Sequence, residues 1–130
     1  MVKLFLYWGA RVIAALILLQ TLFFKFSGSA ESIYIFSAVG IEPWGRIGVG
    51  VLELIASVML LISSVSWIGA LLSLGLMFGA IGMHLTLLGI EVQGDGGYLF
   101  ILAVAVVICS LFVLWTDKEK AITFLEHLKK

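Results

Sequence analysis

Four long apolar runs constrain the fold of this chain more than any other feature. They cover about residues 4–24, 46–64, 67–90 and 98–115, and each is close to the ~20 residues that an α-helix needs to cross a ~30 Å hydrocarbon core. Because a backbone in lipid finds no water to bond, helices are the spanning form expected in so short a chain. The pattern predicts an all-α integral membrane protein: an antiparallel four-helix bundle that forms one domain over residues 1–130.

Composition excludes several other classes of protein. Only 12% of the residues are charged, against about 25% in soluble domains, and 62% are hydrophobic. A formal net charge of +0 provides no field that would attract nucleic acid. The single cysteine, Cys109, excludes an internal disulfide and a cysteine-based metal site within one chain, and we predict no metal site.

Orientation follows from the lysines and arginines that flank the runs. The side that holds both termini carries most of them, and the opposite side carries two cations that are offset by acidic residues. By the positive-inside rule, this asymmetry predicts that both termini face the cytoplasm. The inner cations are Lys3, Arg11, Lys118, Lys120, Lys129 and Lys130; the outer charges are Lys25, Arg46, Glu31, Glu42, Glu91 and Asp95.

Two further segments are predicted to lie along the membrane. Residues 29–44 mix apolar and polar side chains and stop at Pro43, which favours a short helix on the outer face. The tail, residues 116–130, opens with Thr116 and Glu119 at capping-box spacing and has one apolar stripe, which predicts an amphipathic cytoplasmic helix. The first run could also be a cleaved signal peptide, but Arg11 interrupts its apolar stretch.

Two ionisable residues lie inside the runs and are the main candidate site. Glu53 is roughly 12 Å and His84 roughly 9 Å from the outer ends of adjacent helices, at ~1.5 Å rise per residue. Because a charged side chain in hydrocarbon costs about 2.5–3.5 kcal/mol, we expect Glu53 to be neutral, paired or hydrated. Glu53 and His84 are predicted to lie within hydrogen-bonding or one-water distance and to exchange protons.

Four more polar residues complete the candidate set. Lys25 at the outer end of the first helix and Arg46 at the start of the second are predicted to contact the polar end of a ligand. Arg11 lies on nearly the same face as Lys25 and could instead reach lipid phosphates, and Gln20 points the opposite way, as expected of an interhelical hydrogen bonder. A purely structural interpretation, with Glu53 held by His84, Lys25 or Arg46, stays open.

A stripe of small residues marks the third helix. Gly75, Gly79 and Gly82 share one face opposite His84, which predicts close packing, either within the chain or in a homodimer.

The order of these features resembles a known family. An arginine early in "GARVIAALILL", a lysine in "FFKF", the passage "AVGIEPWGRIGVGVLELIASVMLL" and a third helix with "FGAIGMHLTLLG" are similar to the DoxX-like family of small four-helix bacterial membrane proteins. The chain departs from that family at Phe24, where members often have glycine. The resemblance points to Arg11, Lys25, Glu53 and His84.

The resemblance implies a function linked to quinones. Some relatives are similar to the membrane subunit of a thiosulfate:quinone oxidoreductase, and others resemble parts of oxidative-stress systems. We therefore expect a quinone or another apolar molecule as ligand, no covalently bound cofactor, and a redox partner protein. With His84 as the one histidine inside a run, a bis-histidine haem is excluded. The alternatives are a non-catalytic binder of lipid or small molecules, a transporter, and a membrane anchor for a partner protein.

Overall fold

The computed structural model describes residues 2–92 and 94–129, and every regular element in them is a helix. Met1, Gln93 and Lys130, the last of which was counted among the inner cations, lie outside the described residues. The helices are α1 (Val2–Ser27), α2 (Ala30–Val39), α3 (Trp44–Leu61), α4 (Ser66–Met83), α5 (Tyr98–Thr116) and α6 (Lys118–Leu128), and a π-helical turn, His84–Leu88, extends α4. The all-α prediction is confirmed.

Four of these helices are long and apolar enough to cross a membrane. They are α1, α3, α4 with its π-helical turn, and α5, and their ends differ from the predicted runs by less than one helical turn. Their outward surfaces carry large apolar side chains that water would not stabilise, as in a multi-pass membrane protein. Examples are Phe5, Leu16, Phe23, Ile55, Leu71, Ile101 and Ile108.

The spanning helices contact one another in a ring. α1 packs on α3, α3 on α4, α4 on α5, and α5 on α1. Small side chains let the backbones approach, since Ala14, Ala56 and Ala70 have no exposed surface. A Cβ added at Gly69 would lie 2.7 Å from the backbone nitrogen of Leu60, so α3 and α4 are closest near the short link that joins them.

The two short helices have ends that the sequence explains in part. The Ser29 side chain caps α2 by accepting a hydrogen bond from the Ser32 amide at 3.2 Å, and Gly40 ends it in the left-handed conformation that favours glycine. The predicted capping box at Thr116 is wrong. Asp117 is the N-cap of α6, and its carboxylate bonds to other helices instead of capping its own.

Candidate functional site

A cavity of about 510 Å³ lies among the four spanning helices, and α2 contributes to one end of it. Most of its lining is apolar, and a few polar side chains converge on it from α1, α2, α3, α5 and the π-helical turn that extends α4. An apolar cavity with a few placed polar groups is the usual form of a small-molecule site. The polar lining residues are Gln20, Thr21, Lys25, Ser29, Glu31, Ser32, Glu53, His84 and Tyr98.

Glu53 is the most deeply buried charged group of this cavity. Its side chain is 1% exposed, Lys25 Nζ lies 2.7 Å from its Oε1, and Thr21 Oγ1 donates a 2.7 Å hydrogen bond to its Oε2. Because removal of a carboxylate from water is costly, this pairing is what makes its burial tolerable. Thr21 was not predicted as a site residue, and a threonine in an apolar run gives no signal of this role.

Lys25 reaches into the cavity from the last turn of α1. Its side chain is 17% exposed, so its aliphatic stem lies along the protein while the ammonium group contacts Glu53. Arg46 steadies this turn from outside, since its Nη1 donates to the Lys25 carbonyl oxygen and its Nε donates to Glu42 at 2.9 Å. Arg46 therefore positions Lys25. Arg46 itself is not among the residues of the cavity wall, and its contact with a ligand stays a prediction.

His84 begins the π-helical turn and is 5% exposed. Its Nδ1 is 2.9 Å from the carbonyl oxygen of Gly89, and its ring meets Phe100 edge-on with centroids 5.7 Å apart. No direct hydrogen bond joins Glu53 and His84 among the described residues; their nearest partners are Lys25 and Gly89 respectively. They do line the same cavity. π-Helical turns are rare and often occur at functional sites.

Gln20 makes an interhelical hydrogen bond, since its Nε2 donates to the Tyr98 hydroxyl at 3.1 Å. Both residues line the cavity, and together they tie α1 to α5. A role for Gln20 in ligand binding stays a prediction.

Arg11 is not part of this cavity, and it does not reach out to lipid phosphates. Its side chain has no exposed surface, its Nε donates to the Leu60 carbonyl at 2.6 Å, and its guanidinium stacks 3.8 Å from the Trp8 ring. Arg11 packs near the short α3–α4 link, away from Lys25. A role for Arg11 in ligand binding stays a prediction.

A second polar cluster, which the sequence did not predict, lies near Arg11. The Tyr7 hydroxyl donates to Asp117 at 2.8 Å, and the Ser66 hydroxyl donates to the same carboxylate at 2.6 Å. Asp117 is 4% exposed, and Lys120 Nζ lies 3.5 Å from it. These residues are far apart in the chain, so no local pattern could have revealed the cluster.

Two carboxyl groups meet beside the cavity on segments outside the spans. Burial, together with the nearby negative charge of Asp95, raises the pKa of Glu31, which lines the cavity. Burial also raises the pKa of Asp95, but hydrogen bonds from the amides of Val92, Gly97 and Leu99 outweigh it and hold that pKa below its usual value. The two carboxyl groups therefore differ: Asp95 stays ionised, and Glu31 holds its proton more tightly than an ordinary glutamate does.

This pair leads to a prediction about stability. The pKa of Glu31 is higher in the folded state than in the unfolded chain, so ionised Glu31 disfavours folding, and this cost vanishes as pH falls below its unfolded value. Glu31→Gln is therefore expected to raise the thermal midpoint at pH 7, with the gain disappearing near pH 4, about where an unperturbed glutamate titrates. The exposed Glu91 provides the control substitution Glu91→Gln. An equal gain from both variants at pH 7 would contradict the coupling to Asp95.

Of the two kinds of packing predicted for the glycine stripe of α4, packing within the chain is wrong. A Cβ added at Gly75, Gly79 or Gly82 would meet no atom of another described helix within 4 Å, so none of the described helices packs closely on that face. Gly75 and Gly79 also line the cavity together with His84, so the two faces of α4 are not separated as expected. Packing against a second copy stays a prediction.

Comparisons with known proteins gave no match to a protein-family model, a curated protein or a solved structure.

Proposed function

We propose that the chain is an antiparallel four-helix bundle of the bacterial inner membrane, with both termini in the cytoplasm. The short links that join α3 to α4 and α4 to α5, together with the cations near both termini, support this topology. In this arrangement α2 lies along the outer face and covers the cavity. The helix α6, which has no buried residue, lies along the inner face with its apolar stripe toward lipid.

The cavity binds an apolar molecule with a polar end, and a quinone-like ring is the ligand that fits its lining best. The observation that carries this proposal is the Lys25–Glu53 pair, which places one cation and one carboxylate in an otherwise apolar cavity of about 510 Å³. Carbonyl oxygens accept hydrogen bonds, and an ammonium group supplies up to three donors. The resemblance to DoxX-like proteins favours the same class of ligand.

In this function the chain's residues bind the ligand and move protons. Lys25 donates to a carbonyl oxygen of the ligand, and Gln20 and Tyr98 offer an amide and a hydroxyl at another part of the wall. Glu53 on α3 and His84 on the π-helical turn exchange protons with the ligand bound in the cavity. A bound quinone would supply the two-electron chemistry, and a partner protein would deliver the electrons, which makes the chain one subunit of an oxidoreductase system.

The same ion pair also supports a second candidate function. Glu53 already has two partners, Lys25 and Thr21, within hydrogen-bonding distance. A site whose charges are satisfied in this way can hold a lipid or another apolar molecule without any proton transfer. A non-catalytic binder of lipid or small molecules is therefore the alternative.

Quinone binding by the purified protein tests the proposal. Decylubiquinone is titrated into the protein in lipid nanodiscs, and bound ligand is measured by equilibrium partitioning against empty nanodiscs. We expect saturable binding that Glu53→Gln weakens by about tenfold, the equivalent of ~1.4 kcal/mol. The reason is that the neutral amide no longer holds the Lys25 ammonium group by charge in the position from which it donates to the ligand.

The matched control is Glu42→Gln, the same change at a carboxylate that pairs with Arg46 outside the cavity wall. This variant is expected to bind as the unmodified protein does. Absence of saturable binding in every form would overturn the quinone proposal. Equal binding by the Glu53 and Glu42 variants would favour a binder that makes no use of Glu53.

A further inference from the structure

The cavity reaches the outer surface of the bundle at one place on α4. Gly75 and Gly79 are exposed, yet both belong to the cavity wall. Apart from the neighbouring residues and backbone of α4 itself, no atom of the described residues lies within 4 Å of where a Cβ would stand at either position. In the described part of the chain, the backbone of α4 therefore separates the interior of the cavity from the surroundings here.

The opening lies on the side of α4 that is next to α3. Near their link the two helices touch at Gly69, where an added Cβ would lie 3.0 Å from the Ala56 carbonyl oxygen. Further along, Val49 of α3 and Gly79 of α4 both border the cavity instead of each other. The helices thus diverge from a tight contact into a gap.

The depth of the gap indicates what can pass through it. The span that contains both glycines runs from Ser66 to Leu88, and Gly75 and Gly79 lie on either side of its midpoint. In a bilayer this position is within the hydrocarbon core, where water-soluble molecules are scarce. On the opposite side of the bundle, the Gln20–Tyr98 hydrogen bond joins α1 to α5 beside the cavity.

We propose that ligands enter the cavity sideways from the bilayer, through the gap between α3 and α4 and across the bare backbone at Gly75 and Gly79. The cavity then selects molecules that are dissolved in the membrane over molecules dissolved in water. This inference rests on the proposed function, because entry matters only if the cavity binds an apolar ligand. The gap itself can be tested without any quinone. A cysteine inside the cavity reports which reagents reach it.

The experiment uses Ala103→Cys, a small buried position of the cavity wall on α5, in a Cys109→Ser background so that one thiol is present. The protein in nanodiscs is treated with N-phenylmaleimide, which partitions into lipid, or with a charged sulfonated maleimide, which stays in water. We expect the lipophilic reagent to label faster. Adding Gly79→Phe should slow its reaction by about tenfold, which corresponds to ~1.36 kcal/mol in activation free energy.

Gly82→Phe is the matched control, because Gly82 lies on the same exposed face but not in the cavity wall. It should leave the labelling rate unchanged, and Gly75→Phe should act like Gly79→Phe. Circular dichroism and size-exclusion chromatography establish that each variant is folded.

Three results would overturn the proposal. They are equal labelling of the Gly79→Phe form and its parent, labelling by the charged reagent as fast as by the lipophilic one, and no labelling of Ala103→Cys by either reagent. Equal slowing by Gly79→Phe and Gly82→Phe would show instead that a second copy covers this face. Failure of decylubiquinone to bind, with labelling as expected, would reject the quinone and retain the lateral opening.

Discussion

Replacement of Lys25 by methionine is expected to destabilise the protein by about 3–5 kcal/mol, the range for removing one partner of a buried ion pair. Glu53 is 1% exposed and cannot turn to water once the ammonium group is lost. The opposite change, Glu53→Leu, is expected to cost less, about 1–3 kcal/mol, because it leaves unsatisfied groups rather than an isolated buried charge. Lys25, near the end of α1, can then extend its ammonium group outward. The measurement is the free energy of unfolding in mixed micelles.

The double variant Lys25→Met with Glu53→Leu distinguishes pairing from packing. If the pair is the main interaction, the double variant should be more stable than Lys25→Met alone, because no charge remains buried. Glu42→Leu is the control, since Glu42 is 19% exposed against 1% for Glu53, and its loss should destabilise the protein less. Additive losses in the double variant would contradict a direct interaction between Lys25 and Glu53.

The second large effect is expected at Asp117. Asp117→Ala removes the acceptor of two short hydrogen bonds, from Tyr7 and Ser66, and leaves both hydroxyls buried without it. Each hydrogen bond to a charged group contributes about 1.5–3 kcal/mol, so we expect a loss of at least ~3 kcal/mol from the free energy of unfolding. Thermal unfolding followed by circular dichroism measures this loss.

Tyr7→Phe provides the graded comparison, because it removes one donor and keeps the ring. Its loss should be about half that of Asp117→Ala, near 1.5 kcal/mol. Lys120→Met, at a side chain that is 47% exposed, should change stability little. If Asp117→Ala destabilised no more than Lys120→Met, the cluster would have no part in holding α5 and α6 against α1 and α4.

The number and positions of the spans could be predicted from sequence because they depend on length and hydropathy alone. The partners of Glu53 could not be chosen from the three candidates, since a helical pattern gives the face of one helix but not its rotation against the next. The π-helical turn adds to this difficulty. It has more residues per turn than an α-helix, so a helical wheel drawn for an ideal α-helix puts the residues after His84 on the wrong face.

The other contacts that could not be predicted from sequence have a shared physical origin. Arg11 and Lys25 lie on nearly the same face of α1, and no sequence pattern separates them. The structure separates them because Ala14 and Leu18, both fully buried between these residues, pack against the rest of the bundle and close its interior. The Glu31–Asp95 pair joins segments whose mutual approach depends on where α2 folds back. Such contacts are decided by tertiary packing, which no local pattern records.

The packed layer between Arg11 and the cavity has an electrical consequence. Leu18, Ala56, Leu60 and Ala70 fill it with no exposed surface, and the sequence places no acidic or basic residue on the spans at this level. The hydroxyl of Ser57, also buried, donates to the carbonyl of its own helix at 2.7 Å. Among the described residues, no ionisable side chain therefore continues from Glu53 through this layer toward Arg11. If Glu53 exchanges protons as proposed, this layer offers them no ionisable group on which to cross toward the other face of the membrane.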